Sequence, residues 1–127
     1  MINLTTPTSE LTTQQIREIV SKTLVWAKKR FGSHPLKPLL PKFSILSKGP
    51  KNTIGRYLAD KQVIQIFKKE NPTVKDLIKT TLHEYTHHTQ CMLEYRMMRY
   101  KYGYNDSPHE MEARKNEYYY ELCWNSL

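Results

Sequence analysis

Little in this sequence can be cross-linked. Its two cysteines, Cys91 and Cys123, are too few for a disulfide framework and lack the paired spacing of a zinc ribbon. They read as two reduced, semi-buried thiols. Long apolar runs are also missing, so no segment is expected to cross a bilayer. The opening MINLTTPTSELTTQQ lacks the basic and apolar regions of a secretory signal, which favours an intracellular site, virion association included. Internal repeats and low-complexity blocks are absent, and 127 residues suit a single domain, 1–127, with one core. Acidic residues are scarce: 12 Asp and Glu stand against 20 Lys and Arg, a net charge of +8. The surplus is concentrated between Arg17 and Lys79, with clusters at Lys28–Arg30 and Lys68–Lys69. A basic face could attract nucleic acid, acidic lipid or an acidic protein, but no nucleic-acid-binding motif accompanies it, and solubility accounts for it more simply.

The pattern of apolar residues gives an order of helix, small sheet, helix, helix. Leu11, Ile16, Ile19, Val20, Leu24, Ala27 and Phe31 recur at helical spacing, so residues 12–31 are expected to be helical. Thr12 and Gln15 fit a capping box, Leu11 and Ile16 a hydrophobic staple, and Gly32 a stop. SHPLKPLLPK, with three prolines, must be extended. FSIL, IGRYLA and VIQIF read as short strands, the last two as a hairpin across Asp60 and Lys61. A second helix starts near Thr73, where Thr73 and Asp76 resemble another capping box, and is expected to run to Tyr102 with Gly103 as its stop. Ser107 and Pro108 open a third helix through Ala113 and Tyr120 toward Trp124.

The chemistry lies in TTLHEYTHHTQC, residues 80–91. His83, Glu84 and His87 spell H-E-x-x-H on the second helix. The i, i+4 spacing puts both imidazoles on one face, one turn apart, where two nitrogens can share one zinc ion. Glu84 stands beside that face, within reach of a water at the metal. Chance alone would give this motif on the order of once in a few hundred chains of this length. The bland alternative is a polar helix rich in histidine. His88, turned roughly 100° from the ligand face, reads as a bystander, partly exposed or hydrogen-bonded. His34 is a loop histidine, and Cys91, one turn beyond His87, is expected to pack beneath the site.

Two histidines do not complete a site, and a third protein ligand is needed. The metzincin pattern would require glycine at position 90 and histidine at 93, where the chain has Gln90 and Leu93. Downstream stands NDSPHEMEARKNE, and here the sequence resembles the gluzincins, the H-E-x-x-H zincins in which a later helix supplies a glutamate. Glu110-Met-Glu-Ala113 matches the E-x-x-A form of several such families, and the small Ala113 would let the two helices approach closely. The resemblance covers the layout of nearly the whole chain, and its specific motifs cover Leu82 to Ala113.

That resemblance implies an α+β fold, a zincin-like minimal metallopeptidase domain. Its elements are an N-terminal helix, a small antiparallel sheet, the H-E-x-x-H helix and a C-terminal glutamate-bearing helix. It implies Zn2+ held by His83, His87 and Glu110, Glu84 as general base, and a peptide or protein substrate. Glu110 has a competing role, because Ser107 and Glu110 also fit a capping box. Glu112 is the first alternative ligand, and His109 and Asp106 are weaker ones. The chain departs from the family at Arg114, where an aspartate or asparagine often supports a ligand histidine. Arginine cannot accept an imidazole N–H. Glu117 or a backbone carbonyl would have to do so.

A donor for the developing oxyanion could come from Tyr100, Tyr102, Tyr104, His109 or Tyr118. IGRYLA or VIQIF could pair with an extended substrate. Two other readings compete with a peptidase. One is a catalytically weak or inactive zincin-fold module in a larger assembly such as a virion or toxin system. The other is a DNA-associated protease resembling the SprT-like group, which uses a histidine as third ligand.

Overall fold

The computed structural model describes residues 1–127 throughout. Helix α1 spans Thr13–Phe31 behind its Thr12 cap. The Gln15 amide N–H donates to Thr12 Oγ1 at 3.1 Å, and the Thr12 N–H donates to Gln15 Oε1 at 2.8 Å, so the expected capping box is complete. Leu11 and Ile16 flank it and are both buried. Gly32, at φ +79°, ends the helix in a conformation that costs a residue without Cβ little.

Three strands follow: β1 (Lys42–Leu46), β2 (Gly55–Leu58) and β3 (Val63–Phe67). Their order is β1-β3-β2. β2 and β3 form the expected antiparallel hairpin, but β1 pairs with β3 in parallel, so the sheet is mixed and not antiparallel throughout. After β1 the chain crosses to the far edge before β2 turns back, and β3 then fills the gap running the same way as β1. Nothing in the alternation of a five-residue strand encodes the direction of its neighbour.

β3 is hydrogen-bonded on both sides, which excludes VIQIF as an acceptor of added strands. β2 keeps a free outer edge beside the H-E-x-x-H helix. Gly55 makes that proximity possible, since a Cβ there would lie 2.6 Å from Thr80 Cγ2 and 3.1 Å from the Gln65 carbonyl oxygen.

Helix α2 (Val74–Thr89) carries the second completed capping box, Thr73 with Asp76. Its buried Val74, Leu77, Ile78, Leu82 and Tyr85 join Ile16, Ile19, Val20 and Leu24 of α1 and Ile64 and Ile66 of β3 in one core. Burying that many aliphatic and aromatic side chains is the main driving force fixing α2 in place.

The remaining helices depart from expectation. In place of one helix to Tyr102 there are two, α2 and α3 (Met92–Tyr102), because Gln90 is extended at φ −95°, ψ 157°. Its side-chain amide bonds to the His109 carbonyl and to Glu112, both at 2.9 Å, and these tertiary bonds hold the chain out of the helix. The last helix also divides, into α4 (Pro108–Glu117) and α5 (Tyr120–Ser126). At the break Tyr119 turns inward to meet Phe31, ring centroids 5.5 Å apart, and Arg30 stacks over its ring. No helix is long and apolar enough to cross a membrane.

Candidate metal centre

The apolar face of α2 anchors it to the core, which leaves His83, Glu84 and His87 directed toward α4 and β2. Ser107 caps α4, accepting the Glu110 N–H at 3.2 Å. The competing box stops there. The Glu110 carboxylate does not return to the Ser107 N–H but reaches the histidines: Oε1 lies 2.7 Å from His83 Nε2 and Oε2 lies 3.2 Å from His87 Nε2. Ala113, fully buried, leaves room for α4 to pass close to α2, and Asn116 Nδ2 donates to Thr86 Oγ1 at 3.0 Å between the same helices.

Each imidazole is turned so that Nε2 faces the centre and Nδ1 faces an acceptor. His83 Nδ1 donates to Glu117 Oε2 at 2.7 Å. His87 Nδ1 donates to Gln90 Oε1 at 2.8 Å. These are the outer partners that fix the tautomer of a ligand histidine. Glu117 thus fills the role that Arg114 could not, and Arg114 turns outward to the Asn105 carbonyl. Tyr95 adds a further support. Its ring stacks on His87 at 5.0 Å and 17°, and its hydroxyl donates to Glu110 Oε2 at 2.6 Å.

The donor set fits a divalent ion. One ligand atom from each of His83, His87 and Glu110 can be chosen so that all lie within 4.8 Å of one another. Glu110 presents a different oxygen to each histidine, at 2.7 and 3.2 Å, near the roughly 3.3 Å between two ligands that sit about 2.0–2.1 Å from zinc at a tetrahedral angle. The triad is consistent with a gluzincin-like H-E-x-x-H site. No third histidine joins the cluster, which separates it from the histidine-completed arrangement of the SprT-like group. No protein-family model, curated protein or solved structure matches the chain, so the site must be read from its own chemistry.

The carboxylates of the centre favour a proton on His83. Burial pulls the His83 pKa down, but the Glu110 and Glu117 carboxylates at its two nitrogens override that and lift it to about 10. Burial pushes the Glu110 carboxyl up, yet hydrogen bonds from His83, His87 and Tyr95 hold it well below the usual carboxylate range. Glu84 is raised, chiefly by burial, against the pull of His83 and His87.

A ligand nitrogen must shed its proton. Because the metal-free pKa of His83 lies near 10, the group is protonated at neutral pH, and an ion must displace that proton. Calorimetry in buffers of differing ionisation heat should show about one proton released per ion at pH 7.5. Affinity should rise about tenfold per pH unit from neutrality toward that pKa and level off above it.

Other candidates fall outside the cluster. Glu112 is exposed and accepts from Gln90. Asp106 is exposed. His109 stacks on the outer face of Tyr95, centroids 5.5 Å apart. His34 Nδ1 accepts the Leu36 N–H within its loop. One expectation needs correction. Cys91 does not pack beneath the site: the helix break puts it, exposed, at the start of α3, and Cys123 alone is buried. Of the two alternatives for His88, the hydrogen-bonded one holds, and it stays outside the metal cluster. It is fully buried, bonded to the Tyr57 hydroxyl at 2.8 Å and to the Leu39 carbonyl at 2.9 Å, so it ties the proline-rich loop to α2.

Tyr95 and Gln90 were not foreseen. Gln90 had a signal, its i+3 spacing from His87. Tyr95 had none, because its position depends on the bend at Gln90.

Two clefts of about 380 and 350 Å3 open on the centre and share Gly55, His83, Glu84 and Tyr104. Of the oxyanion-donor candidates only Tyr104 lines them, with its hydroxyl 3.4 Å from Glu110 Oε1.

Proposed function

We propose that this chain is a small zinc-dependent peptidase, with His83, His87 and Glu110 holding the ion and Glu84 acting as general base. The observation that carries this reading is the convergence of two imidazoles and one carboxylate where two clefts meet, both of them lined by Glu84. A divalent ion held there would supply Lewis acidity, lowering the pKa of a water and polarising a carbonyl. Glu84 takes the proton from the attacking water and hands it to the leaving amine. Burial, by raising its pKa, makes it a better acceptor than an exposed carboxylate. The Tyr104 hydroxyl, its own pKa raised by burial and then by Glu110, remains a donor and stands where a developing oxyanion could accept its hydrogen bond. The free edge of β2 offers backbone N–H and C=O groups to an extended peptide.

The test is cleavage of a diverse peptide pool by zinc-loaded protein, read by mass spectrometry. Cleavage should disappear on chelation and return with zinc. Full zinc occupancy with no cleavage would sink the peptidase and leave a binding module on this fold. Cleavage seen only with DNA present would favour a DNA-associated protease.

A further inference from the structure

The two clefts differ in charge. The first runs between β2 and α3 and is lined by Arg56, Arg96 and Arg99, with Asp60 as its one acidic residue besides Glu84. None of the three arginines has a carboxylate within 4.0 Å: the ion pairs of the chain are confined to Lys22–Glu18, Lys79–Glu117 and the histidine pairs. Arg56 is engaged by Gln65 Oε1 and the Phe67 ring. Arg99 lies over the Tyr104 ring at 5.3 Å, which places it at the junction of the two clefts. Arg96, one turn earlier on the same helix, is exposed and makes no side-chain hydrogen bond or ion pair. The second cleft has the opposite character, with Glu84, Glu110 and Glu117 along it.

α3 itself has no buried residue. A helix with nothing buried contributes little to the core, and its two guanidiniums remain available to an incoming chain. Guanidinium groups bind carboxylates in a planar, two-pronged geometry that lysine cannot match.

We propose that Arg96 and Arg99 are specificity-determining residues that select peptides bearing an aspartate or glutamate on one side of the bond to be cut. The side is fixed because the arginines line the first cleft and not the second. This rests on the peptidase reading, which supplies the bond, but the recognition itself is a binding event and can be measured without hydrolysis. An exposed arginine–carboxylate pair contributes up to a factor of about five, and two acting on one peptide about tenfold or more.

The experiment uses zinc-loaded Glu84→Gln protein and fluorescent peptides matched in length and apolar content, with acidic, neutral or basic residues on one side of a fixed centre. Acidic peptides should bind about tenfold more tightly than neutral ones, and the preference should reverse in the added Arg96→Glu/Arg99→Glu variant. Equal binding of all three peptides, or an acidic preference that survives the charge reversal, overturns the proposal. So does a preference that is the same on both sides of the centre, and so does binding of single-stranded DNA that depends on the same two arginines and exceeds that of every peptide. Wild-type cleavage of the pool reports separately on the peptidase reading. Cleavage with no acidic enrichment removes the specificity and keeps the enzyme, whereas selective binding without cleavage keeps the recognition and removes the enzyme.

Discussion

Replacing Glu84 with glutamine is expected to reduce peptide hydrolysis by about 10²–10⁴-fold, the usual contribution of one positioned proton acceptor, while zinc content stays at one per chain. The amide has nearly the shape of the carboxylate, so Gly55 and Thr80 still fit around it. It cannot take a proton from water at neutral pH. Zinc should remain because the cluster able to hold an ion is His83, His87 and Glu110, without Glu84.

The fold should not suffer. Burial raises the Glu84 pKa, so its negative charge costs stability above the unfolded-state pKa, and removing that charge relieves the cost. The variant should therefore melt no lower than the wild type at pH 7. The measurements are steady-state hydrolysis, metal analysis and a thermal melt on the same preparation. Activity within a few-fold of wild type, with zinc in place, would show that another group takes the proton.

Glu110→Ala should have the larger effect on metal content. Apparent zinc free energies of about 10–16 kcal/mol in four-ligand structural sites imply several kcal/mol per ligand, so losing this carboxylate should weaken binding by at least about 10²–10³-fold. It also strips Tyr95 of its acceptor and leaves His83 with Glu117 alone. Glu112→Ala, two residues away and bonded only to Gln90, is the control and should change affinity by much less. Competition against a chromophoric chelator gives both constants. Unchanged loading in Glu110→Ala would place the third ligand elsewhere.

Much of this centre could be read from local patterns. His83, Glu84 and His87 are contiguous in a helical turn, and both capping boxes and both glycine stops are written in four-residue windows. Glu110 was reachable because an i, i+4 pair demands a third ligand and E-x-x-A supplied a form for it. What could not be read depends on contacts between distant residues. The bend at Gln90 carries no proline or glycine and arises from bonds to α4. The parallel pairing of β1 depends on where β2 crosses, and the burial of His88 on a loop forty-nine residues earlier. Arg96 and Arg99 belong to no motif, and only the bend makes α3 a wall of the cleft.

Gln90 serves three purposes, two through its side-chain amide and one through its backbone. Its oxygen aims His87, its nitrogen clasps α4, and its extended backbone sets the angle of α3. A substitution there would disturb ring orientation, helix docking and cleft width together, and no phenotype could be assigned to any one of them. Glu117 is the cleaner handle. Apart from a 3.9 Å approach to Lys79, its carboxylate bonds to His83 alone, so the basicity of that histidine can be tuned at position 117 without breaking a bond between helices other than this one. In this small chain the two ligand histidines differ in how far each can be adjusted independently: His83 answers to a side chain, His87 to the architecture.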